Sequence, residues 1–266
     1  MKIWAHCLVK NEENFIWYAL NSIISWVDGV IVWDTGSTDK TVQIIKEVQK
    51  TNPLKIKFRE YGPVTPEEHT KARQEMLEGG KGNWILILDG DEVWWEESIR
   101  KLMITIREGK GEFDSLTVRT INPVGDIYHY QEESAGQYEI AGKKGHFNLR
   151  AFSKDIPGLH LGGVYPREAY FDEKKCPIQE RDGVKFLDVS YFHLTNLVRS
   201  RKGGVVGRNR KIKYEFGIPF PRDFYYPEVF FKGRPNFVPS PWKRLRGVRW
   251  IFSAIETPPK RLKRII

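Results

Sequence analysis

Apolar positions in the first 110 residues follow two rhythms in turn. Lys2–Val9, Gly29–Trp33, Leu54–Phe58 and Trp84–Leu88 read as strands. Two of these runs, GVIVW and WILIL, lack any polar alternation, the mark of strands buried on both faces. Between the strands, apolar residues recur three or four apart. Phe15, Ile16, Ala19, Leu20 and Ile23 do so within Glu12–Ser25, and Val42, Ile45 and Val48 do so after Asp39. Pro66–Leu77 and a segment from about Glu96 to Glu108 complete four predicted helices. Ser37 or Thr38 can cap the second, and Asp39 suits the positive end of its dipole. This alternation predicts an α/β fold with a mostly parallel sheet and helices on both faces. Ligands of such sheets bind beyond the carboxyl ends of the strands. Asn11–Glu12, Asp34 and Asp89–Asp91 each follow a strand and should therefore meet at one rim.

Beyond residue 112 the pattern shortens, with Ser115–Thr120, Asp126–Tyr130 and Phe147–Phe152 as candidate strands and Gly142, Gly145, Gly158, Gly162 and Gly163 at turns. From about Leu197 the chain is basic and rich in proline and aromatic residues. The net charge of +9 is unevenly placed: residues 1–198 carry 25 Lys/Arg against 30 Asp/Glu (−5), and residues 199–266 carry 18 against 4 (+14). A mildly acidic body with a basic tail points to a tail with its own partner rather than to a nucleic-acid-binding protein. The expected organisation is a catalytic domain over 1–198, with a donor half to residue 110 and an acceptor half from 111, then a basic helical extension over 199–266. Cys7 and Cys176 cannot build a disulfide framework, so a reducing compartment is expected. The opening apolar run is too short and too soon charged for a signal peptide. No stretch approaches the roughly 18 apolar residues of a membrane span.

Two carboxylate motifs carry chemistry. Asp89-Gly90-Asp91 closes the WILIL strand, and alternate side chains converge there only if the backbone turns, which Gly90 would permit. Paired carboxylates suit Mn²⁺ or Mg²⁺, whose remaining sites take phosphate oxygens and water. Standing alone, the same three residues would read as a solvated acidic turn. Asp34-Thr-Gly-Ser-Thr-Asp39 joins a buried strand to a helix. Its Asp34 can accept hydrogen bonds from a nucleobase or ribose, or can serve plain turn-and-cap chemistry. Neither a Walker A loop nor a Gly-x-Gly-x-x-Gly fingerprint occurs, which disfavours ATPases and dinucleotide oxidoreductases.

Together these segments resemble glycosyltransferase family 2, the inverting enzymes of the GT-A fold, and in particular the branch with lipopolysaccharide-core sugar transferases. The matching pieces are VKNEE at 9–13, VDGVIVWDTGSTDKT at 27–41, Ala72-Arg73, and WILILDGDE at 84–92. The resemblance implies that Asn11, Glu12 and Asp34 contact the nucleoside and that Arg73 lies near the donor phosphates. It gives the metal and donor sugar to Asp89 and Asp91. The segment Asn148–Phe152 looks like the family strand before the acceptor site, usually followed by a His-Glu pair. Here Glu168 takes the Glu position as the implied general base, and Arg167 replaces the His. Asp188–Asn196 resembles the segment whose histidine, here His193, completes the metal shell or touches the diphosphate. A basic helix from Arg208 to Tyr214 would follow, with Arg208 or Lys211 closing over the phosphates.

The expected reaction moves a sugar from a nucleotide-diphosphate donor to a hydroxyl of a glycan or lipid-linked acceptor. A sugar-phosphate nucleotidyltransferase is a rival, but it should carry a Gly-rich loop where this chain has Lys10-Asn-Glu-Glu-Asn14. A second rival is a non-catalytic protein that binds nucleic acid or a membrane surface. No nucleic-acid partner is expected, because no such motif accompanies the basic segments. The expected location is cytoplasmic, peripheral on the inner face of the membrane. Trp242, Leu245, Val248, Phe252 and Ile255 recur at helical spacing among Lys243, Arg244, Arg246 and Arg249, which predicts an amphipathic helix ended by Pro258 and Pro259.

Overall fold

The computed structural model describes residues 1–109, 111–140, 142–200 and 213–265. Its centre is an eight-stranded sheet of β1 (Ile3–Val9), β2 (Gly29–Asp34), β3 (Ile56–Glu60), β4 (Trp84–Ile87), β5 (Glu92–Trp94), β6 (Ser115–Ile121), β7 (Phe147–Ser153) and β8 (Val184–His193). The spatial order is 3-2-1-4-7-6-8-5. The first four strands are parallel, as their alternation with helices requires. β7 and β5 run antiparallel to their neighbours, and the other six strands all point one way, so the sheet is mostly parallel as expected.

Helices cover both faces. Ile3, Ala5, Cys7 and Val9 of β1 share one core with α1 (Ile16–Ile23), α2 (Thr41–Thr51) and α4 (Glu96–Glu108). Trp4 and Leu8 point the other way, onto Ala72 and Met76 of α3 (Pro66–Gly79). This two-sided burial is why β1 carries no polar alternation beyond His6. α3 starts with a capping box, in which Thr65 and Glu68 each accept the other's backbone N–H.

Several expectations shift. α1 begins at Ile16, not Glu12, because Asn11–Phe15 forms a loop whose amides bond elsewhere. Leu54 is 89% exposed and β3 starts two residues later. Of Asp126–Tyr130, only His129–Tyr130 pairs as strand, since Asp126 caps its own turn through the Tyr128 amide. β8 extends the aromatic segment at 188–193 back to Val184.

The described part of the basic extension is α-helical only in α5 (Val248–Ile265), with one 3-10 turn at Glu228–Phe231. Prolines at 219, 221, 227, 235, 239 and 241 remove backbone donors throughout the preceding stretch. Its aromatics join the main core instead. Phe220, Phe224, Tyr226 and Phe230 surround Phe192 of β8, and Tyr18 of α1 donates to the Pro239 carbonyl at 2.8 Å. α5 starts at Val248, so Trp242 and Leu245 are not on its face. Trp242 packs in the aromatic cluster, and the Leu245 side chain lies against Gly125. The helix also runs through Pro258 and Pro259, with both rings on its solvent side. On the packed side Thr257 donates to the Ser253 carbonyl at 2.6 Å.

Candidate active site

The loops after β1 and β2 are stitched together by side chain-to-backbone bonds. Ser37 Oγ and Thr41 Oγ1 accept the amides of Asn11 and Glu12, both at 2.8 Å, and Asn11 Oδ1 accepts the Thr38 amide at 2.8 Å. Asn11 holds a left-handed φ of 55°, a conformation that asparagine tolerates better than most residues. Asp34 Oδ1 accepts from the amides of Gly36 and Ser37, and Oδ2 from the Ser37 hydroxyl at 2.5 Å. Asp34 is thus at the expected rim, with both oxygens engaged in turn-and-cap bonds. These stitches present Glu12 toward the end of β4.

After β4 the chain makes a tight turn, with the Glu92 amide bonded to the Asp89 carbonyl at 3.1 Å. Gly90 is needed there for space, not for a left-handed φ. A Cβ at that position would lie 2.8 Å from Glu12 Cγ and 3.0 Å from Val9 Cγ1. Gly90→Ala is expected to destabilise the fold by ~1–3 kcal/mol, the usual cost of overpacking. Thermal denaturation would reveal it, and an unchanged midpoint would show that Glu12 yields freely.

The turn delivers three carboxylates in different settings. Asp89 keeps a third of its side chain exposed and pairs with Arg73 Nη2 at 3.3 Å and Arg150 Nη2 at 3.7 Å. Burial raises its pKa, but Arg150, Arg73 and His193 outweigh that and hold it down at about 2. Asp91 is 1% exposed, 3.0 Å from Arg199 Nη1 and 3.7 Å from His193 Nε2. Glu92 is fully buried against Arg150, and burial pushes its carboxyl well up despite that guanidinium. Glu12 is pushed up in the same way, with Arg199 Nη1 at 2.6 Å from Oε1, while its Oε2 has no hydrogen-bond partner among the described residues.

His193 reaches this cluster through strand register, because β8 pairs with β5 so that His193 sits opposite Glu92. Burial lowers its pKa, leaving a neutral imidazole with a lone pair to offer. Arg150 arrives through a register shift between Leu149 and Ala151 in β7, the kind of bulge that re-aims a side chain. Its Nε donates to the Tyr191 hydroxyl at 2.6 Å.

Glu168 lies across Arg73 from Asp89. Its Oε1 is 3.7 Å from Arg73 Nε and 3.4 Å from His69 Nδ1, and only 12% of the side chain is exposed. Burial raises its pKa, but the bond with His69 and the Arg73 charge bring it below the ordinary value. His69 of α3 thus stands beside Glu168, with Tyr165 packed on its ring at 4.2 Å. Arg167 itself is exposed.

The structure therefore brings Glu12, Arg73, Asp89, Asp91, Glu168 and His193 into one charge network. Asn11 and Asp34 support it from the loops. Arg208 and Lys211 lie outside the described residues. Sequence reasoning passed over Glu92, Arg150, His69 and Arg199. Only Glu92 had a local signal, being the next carboxylate in the same turn. Asp89, Glu92 and His193 each place a ligand atom within 4.8 Å of the others. Two carboxylates and a neutral imidazole form a donor set that suits Mn²⁺ or Mg²⁺, with Asp91 alongside.

This acidic rim stands beyond the carboxyl ends of parallel strands, where open α/β sheets bind their ligands. A family model described as Glycosyl transferase family 2 matches residues 8–164, more than half of the chain. This chain belongs to that family. It is 28% identical over 138 residues to the SPbeta prophage-derived glycosyltransferase SunS of Bacillus subtilis, a match spanning 51% of this chain and 31% of that protein. It is 32% identical over 85 residues to a TPR repeat-containing protein of Synechococcus elongatus, spanning 32% of this chain and 19% of that one. The chain thus spans less than a third of these relatives' lengths. Among solved structures it is similar to S. aureus TarS 1–349 in complex with UDP-GlcNAc, at a TM-score of 0.49 and 18% identity, over 79% of this chain and 60% of that one. Glucosyl-3-phosphoglycerate synthase of Mycobacterium tuberculosis with Mn²⁺, UDP and glucosyl-3-phosphoglycerate gives 0.46 and 17%, over 72% and 71%. No helix among the described residues is long and apolar enough to cross a membrane.

Proposed function

We propose that this protein is an inverting, metal-dependent glycosyltransferase that uses a nucleotide-diphosphate sugar. The observation that carries this reading is Arg73, whose guanidinium bridges the metal-ligand candidate Asp89 and the ionised Glu168. One side of that bridge suits a diphosphate leaving group and the other suits an acceptor hydroxyl. Asp89, Asp91, Glu92 and His193 would hold Mn²⁺ or Mg²⁺, which when bound neutralises charge on the departing diphosphate. Asn11, Glu12 and Asp34 line the nucleoside end of the rim.

Glu168 takes the proton from the acceptor hydroxyl as its oxygen attacks the anomeric carbon. The bond from that carbon to the diphosphate oxygen breaks on the opposite face, so configuration inverts. Arg73 steadies both partners and offers charge to the donor phosphates. Membership of family 2 supports the reaction class, and the acceptor we propose is a glycan or lipid-linked saccharide of the cell envelope, as in the lipopolysaccharide-core branch. An exposed apolar face on α5 supports a peripheral place on the cytoplasmic side of the membrane.

Incubation with a panel of nucleotide sugars and Mn²⁺ tests the assignment. Release of nucleoside diphosphate from one donor is expected, with the opposite anomeric configuration in the product by NMR. Failure of every donor, with and without metal, would overturn it.

A further inference from the structure

A cavity of about 400 Å³ opens beside the Asn14 loop. That volume is within the range of ligand sites, roughly 300–1,000 Å³. Lys243, Arg244, Arg246 and Arg249 line it, with Asp126 as its one acidic residue among the lining side chains. Asp126 sets one negative charge against those four cations, and its oxygens are held by other groups. Its Oδ1 faces His129 Nδ1 at 2.6 Å and accepts the Tyr128 amide, and its Oδ2 accepts the Leu245 amide at 2.9 Å. Arg246 and Arg249 make no ion pair among the described residues. Arg244 is held over the Tyr128 ring at 4.4 Å.

α5 leaves this cavity with its apolar side outward. Ser253 and Thr257 face the body and are buried. Lys260 and Arg264 anchor the same side to the Tyr214 carbonyl and to Glu215. The opposite side carries Val248, Ile251, Phe252, Ile255, Pro258, Pro259 and Leu262, with Val248, Ile251, Ile255 and Leu262 between 55% and 66% exposed. A helix that turns its polar side to its own protein and its apolar side to solvent, beside a basic cavity, complements a surface that is apolar inside and anionic at its boundary.

We propose that this cavity binds the phosphate headgroup of an anionic membrane lipid while the outer face of α5 enters the acyl boundary. The inference rests on the peripheral placement proposed above and deepens it. It also places that headgroup beside the reactive rim. Asn14 donates its amide to the Arg199 carbonyl at 3.0 Å and its Nδ2 to the Val198 carbonyl at 2.7 Å, so a thin wall separates the cavity from the Glu12–Arg199 pair.

The test is flotation of the full chain with vesicles of phosphatidylcholine alone or with roughly one-third phosphatidylglycerol. Each basic residue near an acidic surface strengthens binding about fivefold, so Arg246 and Arg249 alone are expected to make the native chain prefer anionic vesicles by ~25-fold or more. Arg246→Gln with Arg249→Gln should weaken anionic binding by ~20-fold and leave the residual neutral binding alone. Ile251→Ser with Ile255→Ser should abolish binding to both vesicle types. Inorganic pyrophosphate should compete with the anionic vesicles for the native chain. All four positions are exposed and outside the rim, so metal-dependent donor turnover should persist and report an intact fold. If the arginine variant floats as well as the native chain, the headgroup site is wrong while α5 docking stands. If no vesicle is bound, both are wrong. Pyrophosphate or RNA binding without flotation would overturn the lipid as ligand, and none of these results would touch the transferase assignment.

Discussion

Asp89→Asn is expected to lower turnover by ~10³-fold and to remove the Mn²⁺ dependence of nucleoside diphosphate binding. Asp89 is the most exposed carboxylate of the turn and the one that both Arg73 and Arg150 approach. Its pKa near 2 keeps it ionised through the neutral range, as a hard-cation ligand requires. An amide keeps the shape, but removes the charge that would hold a metal against the departing diphosphate. A lost electrostatic contact of this kind costs roughly 3–4 kcal/mol in the transition state. Folding should survive, since Arg150 keeps Glu92 and Arg73 keeps Glu168 as partners. Calorimetry with a nucleoside diphosphate, with and without Mn²⁺, reads the first effect, and steady-state turnover reads the second. Affinity and turnover both within a fewfold of the native enzyme would remove Asp89 from the donor site.

Glu168→Gln is expected to cut turnover by ~10²-fold or more with little change in donor affinity, the signature of a lost general base. The sign of the pH effect follows from the setting of this carboxyl. His69 and Arg73 bring it below its ordinary value of 4.5, and a base works only when ionised. The acid limb of native turnover should therefore lie below pH 4.5, with a plateau through neutrality rather than a rise between pH 5 and 7. In the glutamine variant that limb should vanish along with the activity. A turnover near normal in Glu168→Gln would pass the role to another carboxylate. An acid limb near pH 6 in the native enzyme would show that His69 and Arg73 do not hold Glu168 ionised.

The rim was legible in the sequence because it depends on local features. Apolar runs end at Val9, Trp33 and Leu88, and parallel strands that alternate with helices place those ends on one side. Asn11, Glu12, Asp34, Asp89 and Asp91 could therefore be gathered from spacing alone. What each does there was decided by partners that the spacing does not reveal. Ser37 and Thr38 occupy Asn11, the Gly36–Ser37 turn occupies Asp34, and Arg199 reaches Glu12 and Asp91. Gly90 looked like a hinge from its neighbours, yet the packing of Glu12 against it is what excludes a side chain.

The resemblance named His193, but its seat opposite Glu92 depended on tertiary structure, as did Arg150 and the pairing of His69 with Glu168. A strand register, a bulge and the docking of α3 beside the loop at 163–168 set them, and no periodicity records those. The tail divides in the same way. Its charges and apolar spacing were plain in the sequence, but not whether the apolar face meets the body or solvent. Aromatic packing at Trp242 and the burial of Ser253 and Thr257 leave Val248, Ile251 and Ile255 in solvent. Local sequence fixes which residues repeat along an element, whereas the face that is buried depends on which surface the element meets.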